Sequence, residues 1–194
     1  MYNCGSTQIA FDASGAISQL TENGYEWADA EHTLLSLRYR SYSAADVAAF
    51  FATYCKSSAG WVQHDYGKPG LPDDIEGKVW PTSMTALYVK AASGAGTDAD
   101  GSGTCSFRIK SAFDPIASEQ YGAAAGWVSV DINSSAKGNV GTAATPTTTL
   151  NVEVGMFNKS TTRLPEAMFM QFQTHNGTSV RPSTFLPLNS QFLL

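Results

Sequence analysis

Apolar and polar residues alternate along much of this chain with a period of two, the signature of strands with two unlike faces. Cys105, Phe107 and Ile109 alternate with Ser106, Arg108 and Lys110. Val128, Val130 and Ile132 alternate with Ser129 and Asp131, and Leu150, Val152, Val154 and Met156 with Asn151, Glu153 and Gly155. Each run is expected to turn one face to a core and the other to water or a second sheet. Further extended runs are predicted over 8–11, 16–20, 34–42, 82–90 and 167–173. Asp12-Ala13-Ser14-Gly15 joins the first two as a hairpin, because Asp and Gly supply the turn.

One segment changes period. Val47, Phe50, Phe51 and Tyr54 fall at i, i+3, i+4 and i+7, which predicts a helix near residues 44–55. Ser43 is its expected N-cap, and Asp46 completes a near match to a capping box. The apolar stripe is expected to pack into the core. Residues 93–103, rich in Gly, Ala and Asp, read as a loop. Many strands, one short helix and long loops predict a mainly β fold, an antiparallel β-sandwich. With no internal repeat and no domain boundary, residues 1–194 are read as one β-sandwich region.

Composition narrows the function. Of 194 residues, 43% are hydrophobic and only 15% charged, which suits sheets and loops better than helices. The net charge of -5, without a basic stripe, excludes a phosphate backbone as partner, so no nucleic acid is expected. No apolar run approaches the ~20 residues of a membrane-spanning helix, and no membrane partner is expected. The first residues lack the basic and apolar segments of a signal peptide. Asn133, Asn158 and Asn176 each open an Asn-X-Ser/Thr triplet, which points to secretion if the source is a eukaryote. Cys4, Cys55 and Cys105 are compatible with one disulfide and a free thiol, or with three buried thiols.

Few motifs carry chemistry. His32, His64 and His175 lie far apart, without metal-ligand spacing, so no metal is expected in this chain. Asp98-Ala99-Asp100-Gly101 starts like a calcium loop, but Ile109 stands where the bidentate Glu belongs. No nucleophile elbow or phosphate loop occurs, and no catalytic residue is assigned. Two polar segments stand out. In 61–70, Trp61, His64, Asp65, Tyr66 and Lys68 crowd a turn-rich stretch; aromatic faces and polar tips are what a sugar needs. In 158–167, Arg163 and Glu166 flank Pro165 at the mouth of a strand. Asp65, Tyr66, Lys68, Arg163 and Glu166 are therefore the candidate substrate-binding residues, expected at one end of the sandwich, with Glu166 orienting the Arg163 fork. In the alternative, each loop is structural, with Asp65 paired to Lys68 and Arg163 to Glu166.

The hairpin Phe11-Asp12-Ala13-Ser14-Gly15-Ala16-Ile17-Ser18-Gln19-Leu20 resembles the opening of the C-terminal β-sandwich of family 38 glycoside hydrolases, the α-mannosidases. Trp27-Ala28-Asp29, Arg38-Tyr39, residues 43–54, Asp65-Tyr66-Gly67-Lys68-Pro69-Gly70-Leu71, Asn158-Lys159 and Arg163-Leu164-Pro165-Glu166-Ala167 together resemble the domain of unknown function 5054 family. The resemblance implies a galactose-mutarotase-like supersandwich, incomplete here. It also implies a longer parent with an upstream catalytic domain carrying a His-x-Asp zinc motif that this sequence does not match. The chain is thus expected to be a fragment: an accessory β-sandwich of a glycoside-hydrolase-like protein, inactive alone. Its implied partners are carbohydrate and that catalytic domain, which would hold any zinc. A free-standing carbohydrate-binding or structural module is the alternative.

Overall fold

The computed structural model describes residues 1–4, 7–54, 60–61, 74–90, 105–137 and 147–175. Eleven strands and two short helices are bounded among them: β1 (Tyr2–Cys4), β2 (Thr7–Phe11), β3 (Ile17–Glu22), β4 (Tyr25–Ala28), β5 (Leu34–Ser41), α1 (Ala44–Tyr54), β6 (Lys78–Pro81), β7 (Ser83–Lys90), β8 (Ser106–Ala112), α2 (Pro115–Tyr121), β9 (Val128–Lys137), β10 (Thr147–Met156) and β11 (Glu166–Phe172). They form two antiparallel sheets. The seven-stranded sheet runs β1-β2-β3-β5-β11, with β4 also on β3 and β6 also on β5; the four-stranded sheet runs β10-β9-β8-β7. The mainly β expectation holds at this level, and every strand run read from the pattern is found.

The hairpin between β2 and β3 forms where Asp12 and Gly15 predicted it. The Asp12 carboxylate accepts hydrogen bonds from Ser14 N (2.8 Å) and Ala16 N (3.1 Å), holding the turn from within. Gly15 sits at φ +87, and a Cβ there would lie 2.8 Å from Ile109 Cγ2 on β8. Only glycine tolerates both the left-handed backbone and that approach. The turn thereby touches the other sheet: Met84 N donates to Ala13 O at 2.7 Å, and Thr82 Oγ1 to Ser14 O at 2.9 Å.

The core joins both sheets. Ile9 and Ile17 from the larger sheet share one cluster with Phe107, Ile109, Val128, Val130 and Ile132 from the smaller. Each fully buried Ile or Val contributes roughly 1.5–3 kcal/mol. Phe107 makes edge contacts with Tyr2 (5.4 Å) and Phe11 (5.2 Å), so one β8 ring holds two strands of the opposite sheet. A disulfide between Cys4 and Cys105 links β1 to the residue preceding β8. This settles the open cysteine question for those two; Cys55 lies outside the described residues.

Two expectations about packing are corrected. The helix forms with its capping box: Asp46 N donates to Ser43 Oγ (3.1 Å), and Ser43 N to Asp46 Oδ2 (2.8 Å). Yet no residue of α1 is buried; Phe50 is 47% exposed and Tyr54 72%, and these rings pack on each other at 5.4 Å. The periodicity reported an apolar face and said nothing about what covers it. Likewise Val152 and Met156 of β10 remain exposed: among the described residues β10 pairs with β9 alone and ends its sheet.

A second helix, α2, escaped the sequence reading. Its signals are legible afterwards: Asp114 caps it by accepting from Ile116 N, Pro115 opens it, and Gly122 closes it at φ 83. β1, β4 and β6, of three or four residues each, were too short to show a period. No helix among the described residues is long and apolar enough to cross a membrane.

Candidate functional site

Of the five residues assigned from sequence, Asp65, Tyr66 and Lys68 lie outside the described residues. Arg163 and Glu166 are described, and they are not partners. Arg163 is exposed on the loop between β10 and β11. Glu166 opens β11, and both of its carboxylate oxygens accept from Lys159 Nζ at 2.9 Å. The buried Tyr39 hydroxyl on β5 also donates toward Glu166, sharing its proton with the carbonyl of Tyr121 at the end of α2. Burial first, then the Glu166 carboxylate beside it, hold the Tyr39 phenol well above its ordinary value. Neither the sugar-facing Arg–Glu fork nor the structural Arg–Glu pair is found; Glu166 fastens its loop through Lys159 and Tyr39 instead.

The outer face of the four-stranded sheet offers a different constellation. Strand register sets Tyr88, Arg108, Asp131 and Glu153 in one row across β7, β8, β9 and β10. The next row is Ala86, Lys110, Ser129 and Gly155, small at three positions of four. Lys90, Ser106, Asn133 and Asn151 form the row on the other side. The face bounds an open concavity of about 560 Å³. Arg108 donates to Asp131 through Nε (2.6 Å) and Nη2 (3.2 Å), a forked pair that raises the guanidinium above its ordinary pKa, hydrogen bonding leading and charge assisting.

Aromatic rings border these polar rows. Tyr88 is 54% exposed, and the Lys110 ammonium stands between it (5.9 Å) and Trp127 (5.2 Å). Trp127 stacks on Phe157 with centroids 5.4 Å apart and planes 8° from parallel. Phe157 N donates to Trp127 O at 2.9 Å, so the backbone fixes this platform where β10 ends and the Arg163 loop begins. Period-two alternation already placed Arg108, Lys110, Asp131 and Glu153 on the polar faces of their strands. It could not align the strands with one another, and so the rows were not visible.

A second cluster joins residues far apart in sequence. Asp29 follows β4, and its Oδ1 accepts from Glu31 N (2.9 Å) and His32 N (2.7 Å), an Asx-turn that fixes the carboxylate. His32 Nδ1 lies 2.9 Å from Oδ1, and His175 Nδ1 hydrogen-bonds Oδ2 from 146 positions away. The two imidazoles meet edge to face with centroids 5.4 Å apart. Partial burial alone would raise the Asp29 pKa. The backbone and side chain of His32, the backbone of Glu31 and the side chain of His175 together outweigh it and bring the value down to about 2. Spacing rules for metal ligands search short intervals and pass over such a set.

No curated protein and no solved structure matches this chain. The family model described as Domain of unknown function (DUF5054) matches residues 1–101, from β1 past β7 and about half of the sequence. The chain belongs to the DUF5054 family.

Proposed function

We propose that this chain is a β-sandwich module that binds carbohydrate without transforming it, with the sugar laid on the outer face of the four-stranded sheet. The observation that carries this reading is the juxtaposition of exposed Tyr88 and the stacked Trp127–Phe157 pair with the Arg108–Asp131–Glu153 row. Pyranose rings have apolar C–H faces that rest on aromatic planes and hydroxyl rims that need paired donors and acceptors. Arg108 supplies fixed donors, Asp131, Asn133 and Glu153 supply acceptors, and all four line the concavity together with Tyr88. Asp131 is oriented by the forked hydrogen bonds from Arg108, which fixes where its oxygens accept. Arg163, exposed on the loop that starts after Phe157, extends the surface, and Asp65, Tyr66 and Lys68 are proposed to border it. Glu166 sets the loop and touches no sugar.

Affinity electrophoresis through a panel of soluble polysaccharides tests the reading. The wild-type chain is expected to be retarded by at least one glycan. Tyr88→Ala and Trp127→Ala should each weaken that retardation about two- to tenfold, at about 0.5–1.5 kcal/mol per lost aromatic contact, and Tyr88→Ala should do so with an unchanged melting temperature. A wild-type chain that no glycan retards overturns the proposal.

A second reading keeps the module as the accessory sandwich of a glycoside-hydrolase-like parent. The exposed Phe50–Tyr54 face of α1 favours it, since apolar rings in water suit a covering domain. A parent reading frame encoding no further domain would remove this second reading and leave the first intact.

A further inference from the structure

We propose that Asp29, His32 and His175 form a binding site for one divalent transition-metal ion of the zinc class. The ligand atoms of the three side chains all lie within 4.8 Å of one another. Two imidazole nitrogens and one carboxylate oxygen are a donor set that zinc takes readily, at about 2.0–2.2 Å per ligand. In a tetrahedral site such ligands stand roughly 3.4 Å apart, so closure here requires shifts of about 1 Å.

The site is built in layers. Asp29 Oδ1 is fixed by the Glu31 and His32 amides, and the carboxylate is thereby aimed before any ion arrives. Orientation of a ligating carboxylate by outer hydrogen bonds is what a metal site needs. Both imidazoles present Nδ1 to this one carboxylate, and their planes cross at 84°, so they converge without stacking. Without metal, hydrogen bonds to the two carboxylate oxygens hold the three groups together, His32 at Oδ1 and His175 at Oδ2; an ion would take the place of those protons between the same groups. The side chains are 25–33% exposed, so an ion can reach them from solvent.

The ion would join two separate parts of the larger sheet. Asp29 and His32 belong to the turn between β4 and β5, while His175 lies just past β11, where Gln173 N already donates to Thr33 O at 3.0 Å. Metal would thus fasten the end of β11 to the start of β5.

Isothermal titration of the chelator-stripped full chain with Zn²⁺, and absorbance of the Co²⁺-loaded chain, test the site. One equivalent of Zn²⁺ is expected, with visible Co²⁺ bands of four-coordinate intensity and a higher melting temperature in excess Zn²⁺. His32→Gln and His175→Gln keep a side chain able to donate to Asp29, so the turn persists. Each should weaken Zn²⁺ binding at least about tenfold. Less than about 0.1 equivalent bound, or an affinity unchanged in both variants, overturns the proposal; in the second case the ion sits elsewhere.

Discussion

Lys159 Nζ lies 2.9 Å from both carboxylate oxygens of Glu166, and this pair closes the β10–β11 loop onto the seven-stranded sheet. Both side chains are 26% exposed, so water screens the pair only in part. Glu166→Gln is expected to lower unfolding free energy by about 1–2 kcal/mol, since it removes the charge from Lys159 and weakens the acceptor facing Tyr39. Arg163→Ala, on the same loop, should stay within about 0.5 kcal/mol of wild type. Urea denaturation of both variants checks the contrast; equal losses would return Arg163 to a structural role.

Tyr39 should make the protein sensitive to alkali. Its phenol is held above the ordinary value of 10.0 in the folded state, so above about pH 10 the unfolded chain releases a proton that the folded chain keeps. The unfolded state then binds fewer protons and stability falls as pH rises. The contribution is complete below pH 10 and lost progressively above it. Tyr39→Phe should cost about 1–2 kcal/mol at neutral pH through the lost hydrogen bonds, and flatten the decline above pH 10. Denaturation midpoints between pH 7 and 11 measure both effects.

Reducing Cys4–Cys105 should destabilise the protein substantially. The bridge closes a loop with a sequence separation of 101, for which chain entropy predicts about 4–5 kcal/mol. Cys4→Ser should reproduce the effect of a reductant, and adding the reductant to that variant should change little more. Urea midpoints with and without dithiothreitol read this directly.

Legibility in the sequence followed the range of each signal. The hairpin at Asp12–Gly15 and the capping box at Ser43–Asp46 depend on neighbours within four positions, and both appear as expected. The alternation of β8 gave its buried Phe107 and Ile109 correctly. What depended on distant partners was lost. Phe50 could not be known as exposed, because its coverage depends on the rest of the fold. Glu166 could not be assigned to Lys159 over Arg163, because both lie within reach along the chain. The row of Tyr88, Arg108, Asp131 and Glu153 exists only through strand register. The meeting of Asp29 with His175 spans 146 positions and leaves no local mark.

β5 receives β3 at Leu34 and β6 at residues 38–41 along one edge, and β11 along the whole of the other. A strand of this kind is finished late. During synthesis the edge awaiting β11 emerges more than a hundred residues before its partner, with Glu166 pairing to Ser41 and Phe172 to Leu34. For that interval the backbone of β5 offers an open row of donors and acceptors to any extended chain nearby. Closure over so long a loop is slow relative to hairpin formation. Chaperone demand and aggregation during expression should therefore follow changes in β11 more closely than changes in the early hairpins, even where the folded stabilities are equal.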